Sequence, residues 1–110
     1  MLAKKERLSR DAFNRFFSIG KRLNTPSLTL IYAPYTTFHG AVVVSKKVAT
    51  RAVKRNILRR RLYSILYKHK EVGITGVYIA ILRKTPQTPT YATLKDELNT
   101  LLDKIKATNT

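Results

Sequence analysis

Six carboxylates (Glu6, Asp11, Glu71, Asp96, Glu97 and Asp103) and two imidazoles (His39 and His69) are the groups available for proton transfer or metal binding, and cysteine is absent. A nuclease working with its own side chains needs carboxylates grouped around metals, or a histidine or lysine set as an acid–base pair. No such grouping is visible. Asp96 and Glu97 are adjacent in a helical pattern and point to different sides, while Glu71 follows Lys70 as a charge balancer. His39 reads as a turn residue, and His69 as a residue near a helix C-terminus, where a cation meets the negative end of the dipole. No catalytic residue and no metal ligand is assigned.

The chemistry on offer is electrostatic. Between Ser45 and Lys70 lie ten basic residues (Lys46, Lys47, Arg51, Lys54, Arg55, Arg59, Arg60, Arg61, Lys68 and Lys70) and no acidic one. A solvated surface helix usually interleaves glutamate with lysine, because opposite charges one turn apart stabilise it and like charges do the reverse. Arginine dominates the centre of the run, and guanidinium forks match the oxygens of phosphate. The segment therefore points to an external polyanion.

Aromatic residues accompany the charge. Phe13, Phe16 and Phe17 sit in one short helical segment; Phe13 and Phe17 are a turn apart, whereas Phe16 is offset from Phe17 by roughly 100°. They cannot all face one small core, so at least one is expected at the surface. An exposed ring beside arginine and lysine is a platform for an unpaired base.

The elements that must hold these groups are legible in outline. Ser9 caps a helix carrying Ala12, Phe13, Phe16 and Phe17, with Leu8 packing from outside and Gly20 as the stop. Leu28–Tyr32 and Ala41–Val44 read as strands separated by a turn around His39 and Gly40, and are expected to form an antiparallel pair. From about Thr50 to Lys70 there is no Gly or Pro, and Val53, Ile57, Leu58, Leu62, Ile65 and Leu66 recur at helical spacing. Helical rotation places Leu58, Leu62, Ile65 and Leu66 on one side, with Asn56, Arg59, Arg60, Tyr63 and Tyr67 opposite. Arg51 and Arg55 share the azimuth of the apolar stripe but precede it, at the edge of a concave site beside the sheet. Gly73 and Gly76 bracket the exit, Val77–Leu82 is a buried strand, Pro86 and Pro89 mark a loop, and Leu94, Leu98, Leu101, Leu102 and Ile105 define a last amphipathic helix. Helix, two or three strands, helix, strand, helix is an α+β order that fits a two-layer sandwich.

Composition sets the outer limits. At 110 residues with 44% apolar content, residues 1–110 are expected to form one domain. Lys and Arg number 22 against 6 Asp and Glu, a net charge of +16 that calls for a polyanionic partner, nucleic acid first. The opening residues lack an apolar stretch after their charges, and the longest apolar run is Val77–Leu82. No signal peptide, no membrane partner and a cytoplasmic location are expected.

Four stretches in order resemble the bacterial ribonuclease P protein component: Leu8–Gly20 (LSRDAFNRFFSIG), Val43–Leu62 (VVSKKVATRAVKRNILRRRL), Tyr78–Lys84 (YIAILRK) and Tyr91–Leu102 (YATLKDELNTLL). The most specific piece is Ser45-Lys46-Lys47 followed by Ala52-Val53-Lys54-Arg55-Asn56 and Arg59-Arg60. The resemblance implies an α-β-β-β-α-β-α sandwich with a left-handed βαβ crossover, like the second domain of a small-subunit ribosomal protein. It also implies the partners: a catalytic RNA subunit and the single-stranded 5′ leader of precursor tRNA, with no DNA partner. The RNA would perform the hydrolysis with magnesium, and the protein alone would bind no cofactor. By position, Phe13, Phe17, Lys46 and Lys47 resemble the leader-binding residues. Arg55, Asn56, Arg59 and Arg60, with Arg51, Arg83 and Lys84, resemble those facing the catalytic RNA. The chain departs from the family pattern at Ile57, where arginine is usual, and at Tyr63 and Ser64, where arginine and then glutamate or glutamine are usual.

Rival readings from the residues alone are a ribosomal-type RNA-binding protein, a DNA-binding helix-turn-helix protein, a cationic membrane-surface helix and an independent nuclease. No short glycine-containing turn joins two helices at the basic segment, against the second; the apolar face of that helix is needed for the core, against the third.

Overall fold

The computed structural model describes residues 7–71, 73–86 and 88–109, with side chains up to residue 106. The opening segment Met1–Glu6 lies outside the described residues. The elements run α1 (Arg10–Ile19), β1 (Lys21–Asn24), β2 (Leu28–Ala33), β3 (Phe38–Val44), α2 (Ala52–Glu71), β4 (Gly76–Leu82) and α3 (Tyr91–Asn109), the α-β-β-β-α-β-α order of an α+β sandwich.

Local signals set the helix ends. Ser9 Oγ accepts the Ala12 N–H at 3.2 Å, and Leu8 packs half-buried against the cluster under α1. At the other end the Gly20 N–H donates to the Phe16 carbonyl at 2.8 Å. A Cβ on Gly20 would collide with Ile31 Cγ2 and with the Phe16 carbonyl, so α1 meets β2 too closely for a side chain there. Gly76 enters β4 at φ +117, a backbone state that favours glycine.

The sheet order is β1-β2-β4-β3, with β1/β2 and β2/β4 antiparallel and β3/β4 parallel. This corrects the expected pairing of Leu28–Tyr32 with Ala41–Val44, because β4 lies between those strands. Its apolar run is buried on nearly every residue, whereas β3 alternates buried and half-buried. A strand covered on both faces belongs in the middle of a sheet. β3 also begins at Phe38, so His39 and Gly40 are strand residues and not a turn.

Alternation divides the sheet into two faces. Leu28, Leu30, Val42, Val44, Tyr78 and Leu82 join Leu58, Leu62, Ile65 and Leu66 of α2 and the leucine stripe of α3 in the main core. On the reverse, Ile31, Ala33, Val77 and Ile79 meet Phe16 of α1. Val53 and Ile57 do not join the core and are 71% and 41% exposed. Ile57 lies one residue, about 100°, from Leu58, so the spacing had merged two faces of the helix. Tyr63 and Tyr67, expected outside, are half-buried against the core, and the Tyr63 hydroxyl accepts the Val42 N–H at 3.3 Å along the outer edge of β3. Among the described residues no helix is long and apolar enough to cross a membrane.

Candidate nucleic-acid interface

The α1 side of the sheet is only partly covered. Phe16 is buried at its centre, while Ala41, Val43 and Ile81 remain half-buried. Phe13 packs half-buried against the same cluster, and Phe17, 36% exposed, stacks on it with ring centroids 5.7 Å apart. The Arg22 guanidinium lies 4.6 Å from the centre of the Phe17 ring. Arg22 is on β1, opposite Ile31 in the register, which brings a cation from a strand onto the ring of a helix. Sequence reading missed this residue, because a four-residue polar strand carries little pattern of its own.

The parallel strands gather further charge. Val44 of β3 and Leu82 of β4 are register partners, so the segments leaving both strands emerge at one end of the sheet. Lys46 and Lys47 leave β3 in a turn where the Val48 and Ala49 N–H groups donate to the Ser45 carbonyl at 3.1 and 3.3 Å. Arg83 and Lys84 leave β4, and all four side chains are exposed. Arg83 donates to the Thr25 carbonyl in the β1–β2 turn. A surface hollow of about 310 Å³ lined by Lys47, Thr50, Arg51, Lys54 and Thr88 extends this basic end toward the start of α2. Arg51, Arg83 and Lys84, grouped by resemblance with the α2 residues, thus lie at the same end as Lys46 and Lys47.

The α2 residues divide. Arg55 turns back, its Nη1 donating to the carbonyls of Ala49 at 2.9 Å and Thr50 at 2.8 Å, and so fastens the preceding loop to the helix. Arg59 donates to Asn56 Oδ1, and Asn56, Arg60 and Arg61 are exposed. Arg60 and Arg61 form an outward basic surface on the layer opposite α1.

Three of the groups that could have done proton chemistry, Glu97, His69 and His39, have structural partners. The Glu97 carboxylate accepts the Ser27 N–H at 2.8 Å, tying α3 to the start of β2. Burial alone would raise this carboxyl; hydrogen bonds from Thr25 and Ser27 and the charge of Arg83 outweigh that effect and hold it below its ordinary value. His69, in the last turn of α2, meets Asn99 Oδ1 through Nε2 at 2.7 Å and so contacts α3. His39 Nε2 lies 2.8 Å from the Thr37 hydroxyl. Among the described residues no three His, Asp or Glu side chains are grouped to hold a metal ion.

Comparison with known proteins gives this geometry a context. The family model described as Ribonuclease P matches residues 2–106. The ribonuclease P protein component of Synechococcus elongatus is 40% identical over 68 residues, which span 56% of this chain and 56% of that relative, little more than half its length. The corresponding protein of Mycoplasma mobile is 27% identical over 93 residues, 84% of this chain and 82% of the relative. Among solved structures, the Staphylococcus aureus RNase P protein superimposes with a TM-score of 0.80 at 23% identity, covering 92% of this chain and 95% of that one. The Thermotoga maritima RNase P protein gives 0.77 at 26% identity, covering 90% and 96%. The match runs through α1, the basic end of the sheet and α2 alike, and the chain belongs to the ribonuclease P protein family.

Proposed function

We propose that this chain is the protein subunit of a ribonuclease P holoenzyme, binding both the catalytic RNA and the 5′ leader of precursor tRNA during removal of the leader. The observation that carries the reading is the half-open sheet face. Stacked Phe13 and Phe17, with Arg22 over the latter, flank an apolar floor of Val43 and Ile81, and Lys46 and Lys47 stand at its end. Such a cleft suits a single strand: rings stack on bases of any sequence and cations follow the phosphates.

The exposed cations of α2, Arg60 and Arg61, with Asn56 and Arg59, are assigned to the catalytic RNA. Arg51, Arg83 and Lys84 stand at the basic end of the sheet, between that surface and the leader cleft, and are assigned to the same RNA. Arg55 acts by holding the loop that carries Lys46 and Lys47. Phosphodiester hydrolysis is assigned to the RNA, which supplies the magnesium sites; the protein contributes binding and orientation. Affinity for both RNAs should fall steeply with salt, as expected when cations displace counterions from phosphates.

The test is cleavage of precursor tRNA at limiting magnesium with the catalytic RNA alone, the protein alone and both together. Stimulation by the combination only is the expected result. No stimulation by folded protein overturns the proposal in favour of another structural RNA-binding role.

A further inference from the structure

α1 is a ridge with two flanks. One flank carries Phe13 and Phe17 and is used in the proposed leader cleft. The other borders a hollow of about 240 Å³ between the start of α1 and the β2–β3 connection, bounded by Arg7, Ser9, Phe16, Tyr35 and His39. We infer that this hollow seats an unpaired RNA nucleotide, its base on Tyr35 and its phosphate held by Arg7 and Arg15. The inference rests on the RNA-binding reading above but concerns residues to which that reading gives no role.

The aromatic groups are arranged without being used up. Tyr35 meets Phe16 at 5.8 Å and 84°, and His39 at 5.4 Å and 76°. Both contacts are edge-to-face, and Tyr35 remains 49% exposed, so ring area is left for a base. The flank opposite repeats the chemistry: Arg22 sits over Phe17 there, and here Arg15 sits 5.3 Å from the centre of the Phe16 ring. Arg7 is exposed and held beside the outer edge of β3 by its bridge to Gly40. Among the described residues no carboxylate lines the hollow itself, although Asp11 lies one helical turn before Arg15 on α1.

An exposed tyrosine needs no special explanation by itself. What needs one is the conjunction: an exposed ring on the side of a buried phenylalanine, an arginine over that phenylalanine, a second arginine at the rim, and no carboxylate among the described residues lining the hollow. An acidic peptide would satisfy the arginines but has no use for the ring pair. A nucleotide uses both, through its base and its phosphate.

The experiment uses the full-length protein with two RNAs: the catalytic RNA alone, and precursor tRNA carrying either a long leader or one cut to a single nucleotide, bound to the assembled holoenzyme. Tyr35→Leu keeps apolar cover over Phe16 but removes the π face, and Tyr35→Phe retains it. Tyr35→Leu should weaken binding about tenfold, within the range for one base–aromatic stack, while Tyr35→Phe binds as the unmodified protein. Weakening confined to the long leader identifies the leader as the source of the nucleotide; weakening toward the catalytic RNA alone identifies that RNA. Arg15→Gln, on an exposed side chain, should weaken binding a few-fold and flatten the log–log salt dependence by about 0.7 for a single strand.

Unchanged binding by Tyr35→Leu and Arg15→Gln, in a holoenzyme that the unmodified protein stimulates, overturns this inference and leaves the subunit reading standing. Equal weakening by Tyr35→Phe, or weakening that follows a loss of folded protein by circular dichroism, also counts against it. Failure of the unmodified protein to bind either RNA overturns the subunit reading, and this inference with it.

Discussion

On one face of the sheet, α2 and α3 bury Leu28, Leu30, Tyr78 and Leu82 beneath a continuous layer of leucine and isoleucine. On the other, α1 alone crosses, buries Phe16, and leaves Ala41, Val43 and Ile81 half-covered between aromatic and cationic side chains. The first face resembles any small hydrophobic core, and its close packing is what orders the sheet. The second leaves apolar surface partly open, which suits a ligand with flat apolar groups and negative charge. In the proposed reading the packed side chains of the first face supply stability and the open second face takes the leader, so substitutions in the core and in the cleft should separate folding from leader binding.

The largest effect is expected on the closed face. Leu98→Ala, at a fully buried position of α3, should destabilise the fold by about 3 kcal/mol, measured by urea denaturation, through lost burial and the cavity left behind. RNA affinity per folded molecule should stay unchanged; a selective binding defect would break the division. Phe17→Ala should do the reverse. It should weaken leader-containing precursor about tenfold relative to mature tRNA, one stacked base being worth about 1–3 kcal/mol. Equal weakening of the two RNAs would remove Phe17 from the leader cleft.

Arg55→Ala probes a position where the two roles meet. Losing its bonds to the Ala49 and Thr50 carbonyls should cost about 1 kcal/mol of stability and impair assembly with the catalytic RNA. Unchanged affinity for that RNA across a salt titration would leave Arg55 a purely internal brace. Lys47→Ala should have a smaller effect, a few-fold loss of affinity at low salt and a log–log salt slope shallower by about 0.7, with unchanged unfolding.

The smallest effect belongs to Glu97→Gln, which removes the charge tying α3 to Ser27. The folded carboxyl is held below its ordinary value, so its contribution is present above the unfolded value near pH 4 and lost as pH falls through the lower folded value. The variant should be less stable than the unmodified protein at pH 7, by about 1 kcal/mol or less, and the gap should close in acid. A gap that persists unchanged at low pH would mean that the charge is not what matters.

Much of this was legible in the residues because the causes are local. Ser9 and Gly20 bound α1 through bonds reaching three or four residues, and Leu58, Leu62, Ile65 and Leu66 mark the buried side of α2 through rotation about one helix axis. The offset of Phe16 from Phe17 likewise forced one ring inward and the other toward solvent, and the acid-free run points to a polyanion from charge alone. Yet the same local reading counted Val53 and Ile57 into the apolar spacing of the helix, where both are exposed, and put Tyr63 on the outer face, where it is half-buried. Burial at the start of α2 depends on where the helix meets the sheet, and a long tyrosine can reach around to the edge of β3.

The sequence by itself determined the helices, the apolar strand-forming runs and the charge, though not the polar strand β1, because propensity, periodicity and capping act over a few neighbouring residues. Tertiary structure decided that β4 enters between β2 and β3, since which strand is central depends on burial of both its faces and pairing of both its edges at once. That insertion aligned the ends of β3 and β4 and gathered Lys46, Lys47, Arg83 and Lys84, while the packing of α1 beside β1 set Arg22 over Phe17. Strand pairing joins residues distant in the chain, and the gain that selects one pairing over another arises only when the whole sheet has closed on its helices.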